Sequence, residues 1–553
     1  MKIAALQSHI VVGDFAGNAK RLVDAYQHAV SEGAEIVLAQ EDALAGYCEG
    51  DQRFYPSFME GHDAALDMLT AGIGDVALVM SITVQNPSKG KGKPFLNMGV
   101  LIQSGVVTYL QAKTNLATDA VFNDYRWYEM NHEDILVFTY RGVRCAVLIC
   151  QDLWSTYDAA HGEHFFPRNP VLELEGKGVE LLLVPNASPY YWGKGTVRHE
   201  MVRAVTSQLG AAVAYANFWG GQDELVFDGR SFIMNKDGVV VGAAKAYEDA
   251  IVLADLDGAP VAYPFDKDDI QALEDTLVVS LREYVEKSGI AGVVLGVSGG
   301  IDSALVAYLA VRALGPERVI GIRMPSEYSS EGSLVDAEAL CRNLGIRMET
   351  IAIKGIHQML RDALATAFAK EKFWETPCGA TDENLQARTR GELVMGFANY
   401  YGYMALATGN KSEFSVGYAT LYGDMCGGFA LIKDALKQEV YALSRHANRD
   451  GVVVPISSID KPPSAELKPG QVDTDSLPDY PVLDALLKAH IEKFKGIEEL
   501  VAAGFDRDVA RKVIGMTARA EFKRRQAPIG PIVSREGLGW LNRQYPISTT
   551  FLP

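Results

Sequence analysis

No Cys-x-x-Cys pair occurs anywhere in the 553 residues. The six cysteines (48, 145, 150, 341, 378 and 426) are scattered, too sparse for a disulfide framework and without zinc spacing. The nearest approach to a zincin motif, "HEMVR" at His199, lacks the second histidine, so no structural or catalytic zinc is expected. No uninterrupted apolar run reaches the ~18 residues of a membrane span. Gln7, His9 and Asp14 break any signal-peptide core after Lys2. Lys and Arg number 52 against 70 Asp and Glu, a formal charge of -18. That excess repels phosphates and argues against unspecific contact with nucleic acid or an anionic membrane. A local basic patch such as Lys523-Arg524-Arg525 can still meet a small anion. No internal repeat, low-complexity tract or Walker loop (G-x-x-x-x-G-K-[ST]) is found. The expectation is a cytoplasmic protein with neither nucleic acid nor membrane as partner.

The remaining composition is ordinary, 48% apolar and 22% charged, and the length suits about two to four domains. Two textures divide the chain. Residues 1–256 repeat short apolar runs: "AEIVLA" (34–39), "DVALVMSITV" (75–84), "RCAVLIC" (144–150), "ELLLVP" (180–185) and "AAVAYAN" (211–217) read as strands. Ser-Gly inside "NMGVLIQSGVVTYLQAK" and Lys-Asp-Gly inside "SFIMNKDGVVVG" predict hairpins. Helical patterns between these runs suggest an α/β sandwich. Residues 257–275 are polar with two prolines and read as a linker. From residue 276 to 553 the rhythm is strand ("GVVLGV", 292–297), helix (301–314), strand (318–324), helix (331–344), strand (347–353). That alternation predicts a doubly wound parallel sheet, whose ligands bind beyond the carboxyl ends of the strands.

The loop beyond the first of these strands reads "GVSGGIDSALVAYLAV". Its glycines let backbone approach a ligand, and successive N–H groups at a helix start cradle an anion. Asp302 can hold Mg2+ on phosphate oxygens, and Ser298 and Ser303 can donate hydrogen bonds. Gly296-Val297-Ser298-Gly299-Gly300 also fits the G-x-S-x-G nucleophile elbow, which would pair Ser298 with His357, His446 or His490. S-G-G-I-D-S resembles the pyrophosphate loop of ATP pyrophosphatases, and the downstream text is similar to NAD+ synthetases. The matching stretches are "MPSEYSSEGSLVDAEAL" (324–340), "ENLQARTRGELVMGFAN" (383–399), "TGNKSEFSVGYATLYGDMCGG" (408–428), "PSAELKPGQVDTDSLPDY" (463–480) and "EFKRRQAPIG" (521–530). The resemblance weighs against the elbow. It implies a Rossmann-like fold and amidation of deamido-NAD+ through an adenylate made with ATP. It also implies that Gly296, Val297, Ser298, Gly299, Gly300, Ile301, Asp302, Ser303 and Thr408 contact ATP. Asn384, Glu413 and Lys523 are implied contacts of deamido-NAD+, with Asp302 and Glu413 as Mg2+ ligands. Read alone, Thr408 and Glu413 could cap a helix, and Lys523 could be a solvated charge.

An amidation needs ammonia, and "AVLICQDLW" ends an apolar run on Cys150. By itself such a cysteine is core filler. The first half, however, resembles the nitrilase superfamily, whose site joins glutamate, lysine and cysteine. "AQEDALAGY" (39–47), "YLQAKTNL" (109–116) and "LICQDLW" (148–154) match its three segments. The resemblance implies an αββα sandwich with Glu41 as general base, Lys113 as oxyanion donor and Cys150 as nucleophile on L-glutamine. "NASPYYWGKG" (186–195) adds Ser188 and Lys194 as glutamine contacts. Two positions depart from the related glutaminases: Gln151 stands where glutamate is frequent, and Asp119 where a tyrosine contacts glutamine. They motivate an alternative, an ammonia-dependent synthetase with an impaired amidase half. Residues 155–170 look like an insertion. Relatives of this two-domain form assemble as homo-oligomers, and the same is expected here.

Overall fold

The computed structural model describes residues 1–88, 90–118, 122–161, 166–263, 270–368, 379–539 and 544–553. Two compact units divide the chain: residues 1–222 with 226–268, and residues 223–225 with 269–553.

The first unit is built on two six-stranded sheets of the same plan. In one, Lys2–Gln7, Ile36–Leu38 and Ala77–Gln85 run parallel, and Ala250–Asp255, Phe95–Gln103 and Val106–Ala112 extend them antiparallel. In the other, Val143–Val147, Leu181–Asn186 and Ala212–Asn217 are the parallel centre, with Val137–Tyr140 and the hairpin Phe232–Met234/Val240–Ala243 antiparallel outside. The two inner faces share one apolar core, in which Ile3, Ile36 and Val79 from the first sheet meet Val147, Leu183 and Ala214 from the second. The parallel strands read as continuous apolar runs because they are covered on both faces. Helices Phe15–Ser31 and Pro56–Gly72 pack on each other outside the first sheet. Met201, Val202 and Val205 of helix Lys194–Leu209 cover the second sheet. The layers are therefore αββα. The Ser-Gly turn is tight, with both Ser104 (φ 49°) and Gly105 (φ 77°) left-handed, the conformation that matches strand twist in a two-residue hairpin.

The second unit holds a five-stranded, all-parallel sheet. Its order is Arg347–Thr350, Val319–Arg323, Val293–Gly296, Met404–Ala407, Phe429–Ala430. Helix Gly379–Tyr401 buries Val394 and Ala398 against one face, together with Val294, Ile320 and Ala405. Helix Ile301–Leu314 packs on Val293–Gly296 and Val319–Arg323. From Val293–Gly296 the chain winds outward one way, then returns to lay Met404–Ala407 on the other side. The loop after Gly296 thus lies at the reversal of strand order, where such sheets open a crevice.

One boundary needs correction. The predicted linker 257–275 contains the start of helix Ile270–Lys287. Its first turns read as polar because Glu274 is fully buried, paired with Arg312 and with Arg449 at 3.3 Å and bonded by Tyr308 at 3.1 Å. A buried, paired carboxylate looks like a solvated one in sequence.

Candidate functional sites

In the first unit, three strand ends deliver the predicted triad to one place. Glu41 follows Ile36–Leu38, Lys113 follows Val106–Ala112, and Cys150 opens a short 3-10 turn, Cys150–Leu153, shortly after Val143–Val147. Glu41 and Lys113 are fully buried and Cys150 is nearly so. Glu41 Oε1 accepts from Lys113 Nζ and from Asn97 Nδ2, both at 2.8 Å, and its Oε2 accepts from the Ala187 backbone N–H at 3.0 Å. Lys113 also donates to Asp124 Oδ2 at 2.9 Å, and Asp124 in turn accepts from the Tyr47 hydroxyl at 2.8 Å. Cys150 holds φ at 43°, a left-handed conformation unfavourable for a residue with a Cβ. Strain of this kind concentrates at functional sites.

Charge in this pocket follows from burial. Desolvation raises the Glu41 carboxyl, with Lys113 pulling it back and Asp124 pushing it up. The Cys150 thiol is pushed up to about 12 by burial and by the Glu41 charge, while Lys113 and the Ala187 N–H favour the thiolate. Burial opposes the charge on Lys113, but Asp124 and Glu41 outweigh it and the ammonium is held well above its ordinary range. At rest the set is a thiol, a buried carboxylate whose proton affinity is raised by burial, and a secure ammonium.

Two residues outside the predicted list complete this site. Asp124 is the second anchor of Lys113. Asp152, fully buried, accepts from the backbone N–H groups of Thr114 and Asn115 with Oδ1 (2.9 and 2.6 Å) and of Ile149 with Oδ2 (3.1 Å). It ties the lysine segment to the cysteine turn. Asp152 stands inside the matched "LICQDLW" segment, so its neighbourhood was a signal; nothing in the sequence marks Asp124. Ser188 is buried beside Ala187 and receives a bond from Arg198 Nε at 3.2 Å. Lys194 lies over the Trp154 ring at 5.3 Å, next to the cysteine turn. Asp119 and part of the 155–170 stretch fall outside the described residues.

In the second unit, a cavity of about 480 Å³ opens beside the loop after Gly296. Gly296, Val297, Ser298, Gly300, Ile301, Asp302, Ser303, Asn384, Thr408, Glu413 and Lys523 all line it. Gly299 is the exception. At φ 78° it turns away, and a Cβ there would meet the Ser333 carbonyl oxygen at 2.2 Å, so the position admits only glycine. The loop is closed by its own serines: Gly300 N–H donates to Ser298 Oγ, and the Ser298 N–H to Ser303 Oγ. The elbow reading finds no histidine partner for Ser298 among the described residues. His357 meets Asp382, His446 meets Gln271, and His490 meets the Lys495 carbonyl.

The two candidate metal ligands face one ammonium. Lys437 Nζ lies 2.6 Å from Asp302 Oδ2 and 3.3 Å from Glu413 Oε1, while Asn410 donates to Asp302 Oδ1 at 2.8 Å. Burial and the neighbouring Asp302 charge raise Glu413 to about 8, with Lys437 opposing. Among the described residues no group of three or more His, Cys, Asp and Glu could hold a metal by itself. Two hard carboxylates beside the Gly296–Ser303 loop have donor chemistry that fits Mg2+, which is held by one or two carboxylates together with substrate phosphates. Lys437 has no recognisable spacing in the sequence. Thr408 and Lys523 are placed on the cavity wall, and Lys523 also donates to the carbonyls of Gly417 and Ala419 at 2.8 and 2.6 Å.

Comparison with known proteins follows the same division. The family model described as carbon-nitrogen hydrolase matches residues 2–262, and that described as NAD synthase matches 273–527. A glutamine-dependent NAD(+) synthetase of Synechocystis sp. is 40% identical over 563 residues, spanning 100% of this chain and 99% of that one. One from Acinetobacter baylyi is 38% identical over 559 residues, with 100% and 99% covered. A solved glutamine-dependent NAD+ synthetase from Acinetobacter baumannii, in complex with ADP, superposes with a TM-score of 0.74 at 34% identity, covering 99% of this chain and 98% of that one. With both family models in order along it and full-length relatives at this identity, the chain belongs to the glutamine-dependent NAD(+) synthetase family.

Proposed function

We propose that this chain converts deamido-NAD+ to NAD+ with ATP, using ammonia released from glutamine at Cys150. The observation that carries the reading is the convergence of Cys150, Glu41 and Lys113 in one buried pocket, in the same chain as the Gly296–Ser303 loop.

Glutamine hydrolysis follows from the resting charges. Because the thiol is protonated, its attack on the amide carbon must be accompanied by proton transfer, and Glu41 is the adjacent acceptor. An ammonium has three donors. Glu41 and Asp124 occupy two on Lys113, leaving one for the oxyanion of the tetrahedral intermediate. Glu41 then returns the proton to departing ammonia, and water releases glutamate from the thioester. Ser188 and Lys194 are the proposed holders of the glutamine.

In the second unit the nicotinate carboxylate is a poor electrophile until it carries AMP. Backbone donors of the Gly296–Ser303 loop hold the phosphates, Asn384 and Lys523 hold deamido-NAD+, and Asp302 and Glu413 would hold Mg2+. A bound Mg2+ would neutralise charge on the departing pyrophosphate. A cytoplasmic homo-oligomer belongs to the same proposal. It is supported by the family resemblance, the charge of -18, and the lack of any helix among the described residues long and apolar enough to cross a membrane.

The test is NAD+ formation from deamido-NAD+ and Mg-ATP with glutamine or ammonium, in wild type and Cys150→Ala. Both donors should serve wild type and ammonium alone the variant. Ammonium-only activity in wild type would return the impaired-amidase alternative, and no NAD+ with either donor would remove the synthetase reading.

A further inference from the structure

Five cationic side chains line the cavity of the second unit, and four of them are committed. Lys437 sits between Asp302 and Glu413. Lys461 meets Asp336 at 3.1 Å. Lys523 donates to two carbonyls. Arg323 donates to Thr350 and to the Leu334 carbonyl. Arg390 differs. Only its Nε is bonded, to the Met324 carbonyl at 3.1 Å, and neither Nη has an acceptor among the described residues. The carboxylate whose charge it feels, Glu466, is already engaged by Ser330 and by Ser333, the latter at 2.7 Å.

The position of Arg390 is built. It lies on helix Gly379–Tyr401 in a stripe with Asn384, Ala387, Gly391 and Val394, all on the cavity wall. Its anchor, Met324, directly follows strand Val319–Arg323 beside the nucleotide loop, and a Cβ at Gly296 would lie 3.1 Å from the Met324 methyl. Burial weighs on the guanidinium enough to lower it to about 10, an uncommon displacement for arginine. The residue is half-buried, its Nη groups open to the cavity, and a partly desolvated cation without a paired counter-ion is costly and is kept where a ligand supplies the opposite charge.

We propose that Arg390 is a phosphate receptor of the synthetase site, its two unengaged Nη donors taking adjacent oxygens of a phosphate group on a substrate nucleotide. The planar fork matches such an oxygen pair, whereas a lysine offers only a point charge. This rests on the nucleotide reading of the cavity given above. Two substrates of that reading carry the required chemistry, the triphosphate of ATP and the diphosphate of deamido-NAD+.

The experiment is calorimetric titration of the full chain with Mg-ATP and, separately, with deamido-NAD+, for wild type, Arg390→Lys and Arg390→Met. Arg390→Met should weaken one of the two ligands by roughly tenfold or more, Arg390→Lys should recover part of it, and the ligand affected identifies the phosphate. Ligand-free Arg390→Met should melt at or above the wild-type temperature, since it removes an uncompensated cation; an arginine with a purely structural role would give a lower one. Unchanged affinity for both nucleotides in Arg390→Met would overturn the assignment while leaving the nucleotide site intact. A lowered melting temperature with both affinities reduced alike would overturn it in favour of a structural role. Wild type that binds neither nucleotide would overturn the nucleotide reading and this assignment together.

Discussion

Asp152→Asn is the perturbation that isolates the frame of the glutaminase site from its chemistry. The side chain is isosteric, but one acceptor oxygen becomes a donor. Oδ1 serves two N–H groups and Oδ2 one, so the least costly orientation keeps the oxygen towards Thr114 and Asn115. The new NH2 then faces the Ile149 N–H, one residue before Cys150. A lost bond with a buried donor left unmet costs about 1–3 kcal/mol. If the cysteine turn relaxes to relieve it, that cost appears in the barrier for glutamine hydrolysis as about a ten- to hundredfold fall in rate. Ammonium-driven NAD+ formation draws on the other unit and should stay within about twofold of wild type, well under the tenfold set by 1.4 kcal/mol. A second readout comes from titration. Burial raises Asp152 to about 7 against the pull of its three N–H partners and Lys113. The folded protein therefore retains a proton that the unfolded chain releases above about pH 4, and wild-type stability falls as pH rises from about 4 to 7. Asparagine cannot titrate, so the variant's urea midpoint should fall less over that window. Equal loss with both nitrogen donors, or an unchanged glutamine rate with an unchanged pH slope, would refute the reasoning.

Glu41→Gln should separate reactivity from catalysis: glutamine-dependent turnover is lost, yet alkylation of Cys150 by iodoacetamide, followed by peptide mass spectrometry, becomes faster at a given pH. The sign follows because the Glu41 charge is one of the influences holding the thiol up at about 12, and slower alkylation would contradict it. Gly299→Ala places a Cβ 2.2 Å from the Ser333 oxygen at a left-handed φ, a combined clash and strain of about 2 kcal/mol or more; ATP binding should fall sharply, and calorimetry showing wild-type affinity would count against the tight-loop description.

Much of the architecture was legible because buried parallel strands write themselves as apolar runs. Helix Ile301–Leu314 and helix Glu331–Leu344 fall on the residues their periodicity predicts. The apolar run through Ile149 was less informative, since the strand Val143–Val147 ends two residues before it does. Leu148 and Ile149 are as buried as any strand residue, and burial rather than pairing is what an apolar letter reports. Glu41, Lys113 and Cys150 could be named because each stands in a segment with a family pattern. Lys437 could not, for its role comes from charges that lie far apart in the chain until it folds. Lys437 is 135 residues from Asp302, and no local spacing encodes such a pairing. Glu274 misled for the same reason, its arginine partners lying in distant segments, Arg312 in helix Ile301–Leu314 and Arg449 in the turn after helix Lys437–Ala447.

The origin of the triad within the sandwich has a developmental consequence for the molecule. Glu41 and Lys113 hang from one sheet, Cys150 and the Ala187 amide from the other. On the roles proposed above, neither sheet alone brings the nucleophile to its base, so a half-assembled chain is expected to be inert towards glutamine. Catalytic competence arrives only when the two faces close on their shared core. The first flash of glutaminase activity during refolding should accordingly coincide with that closure, making the enzyme its own clock for the last step of its first unit's assembly.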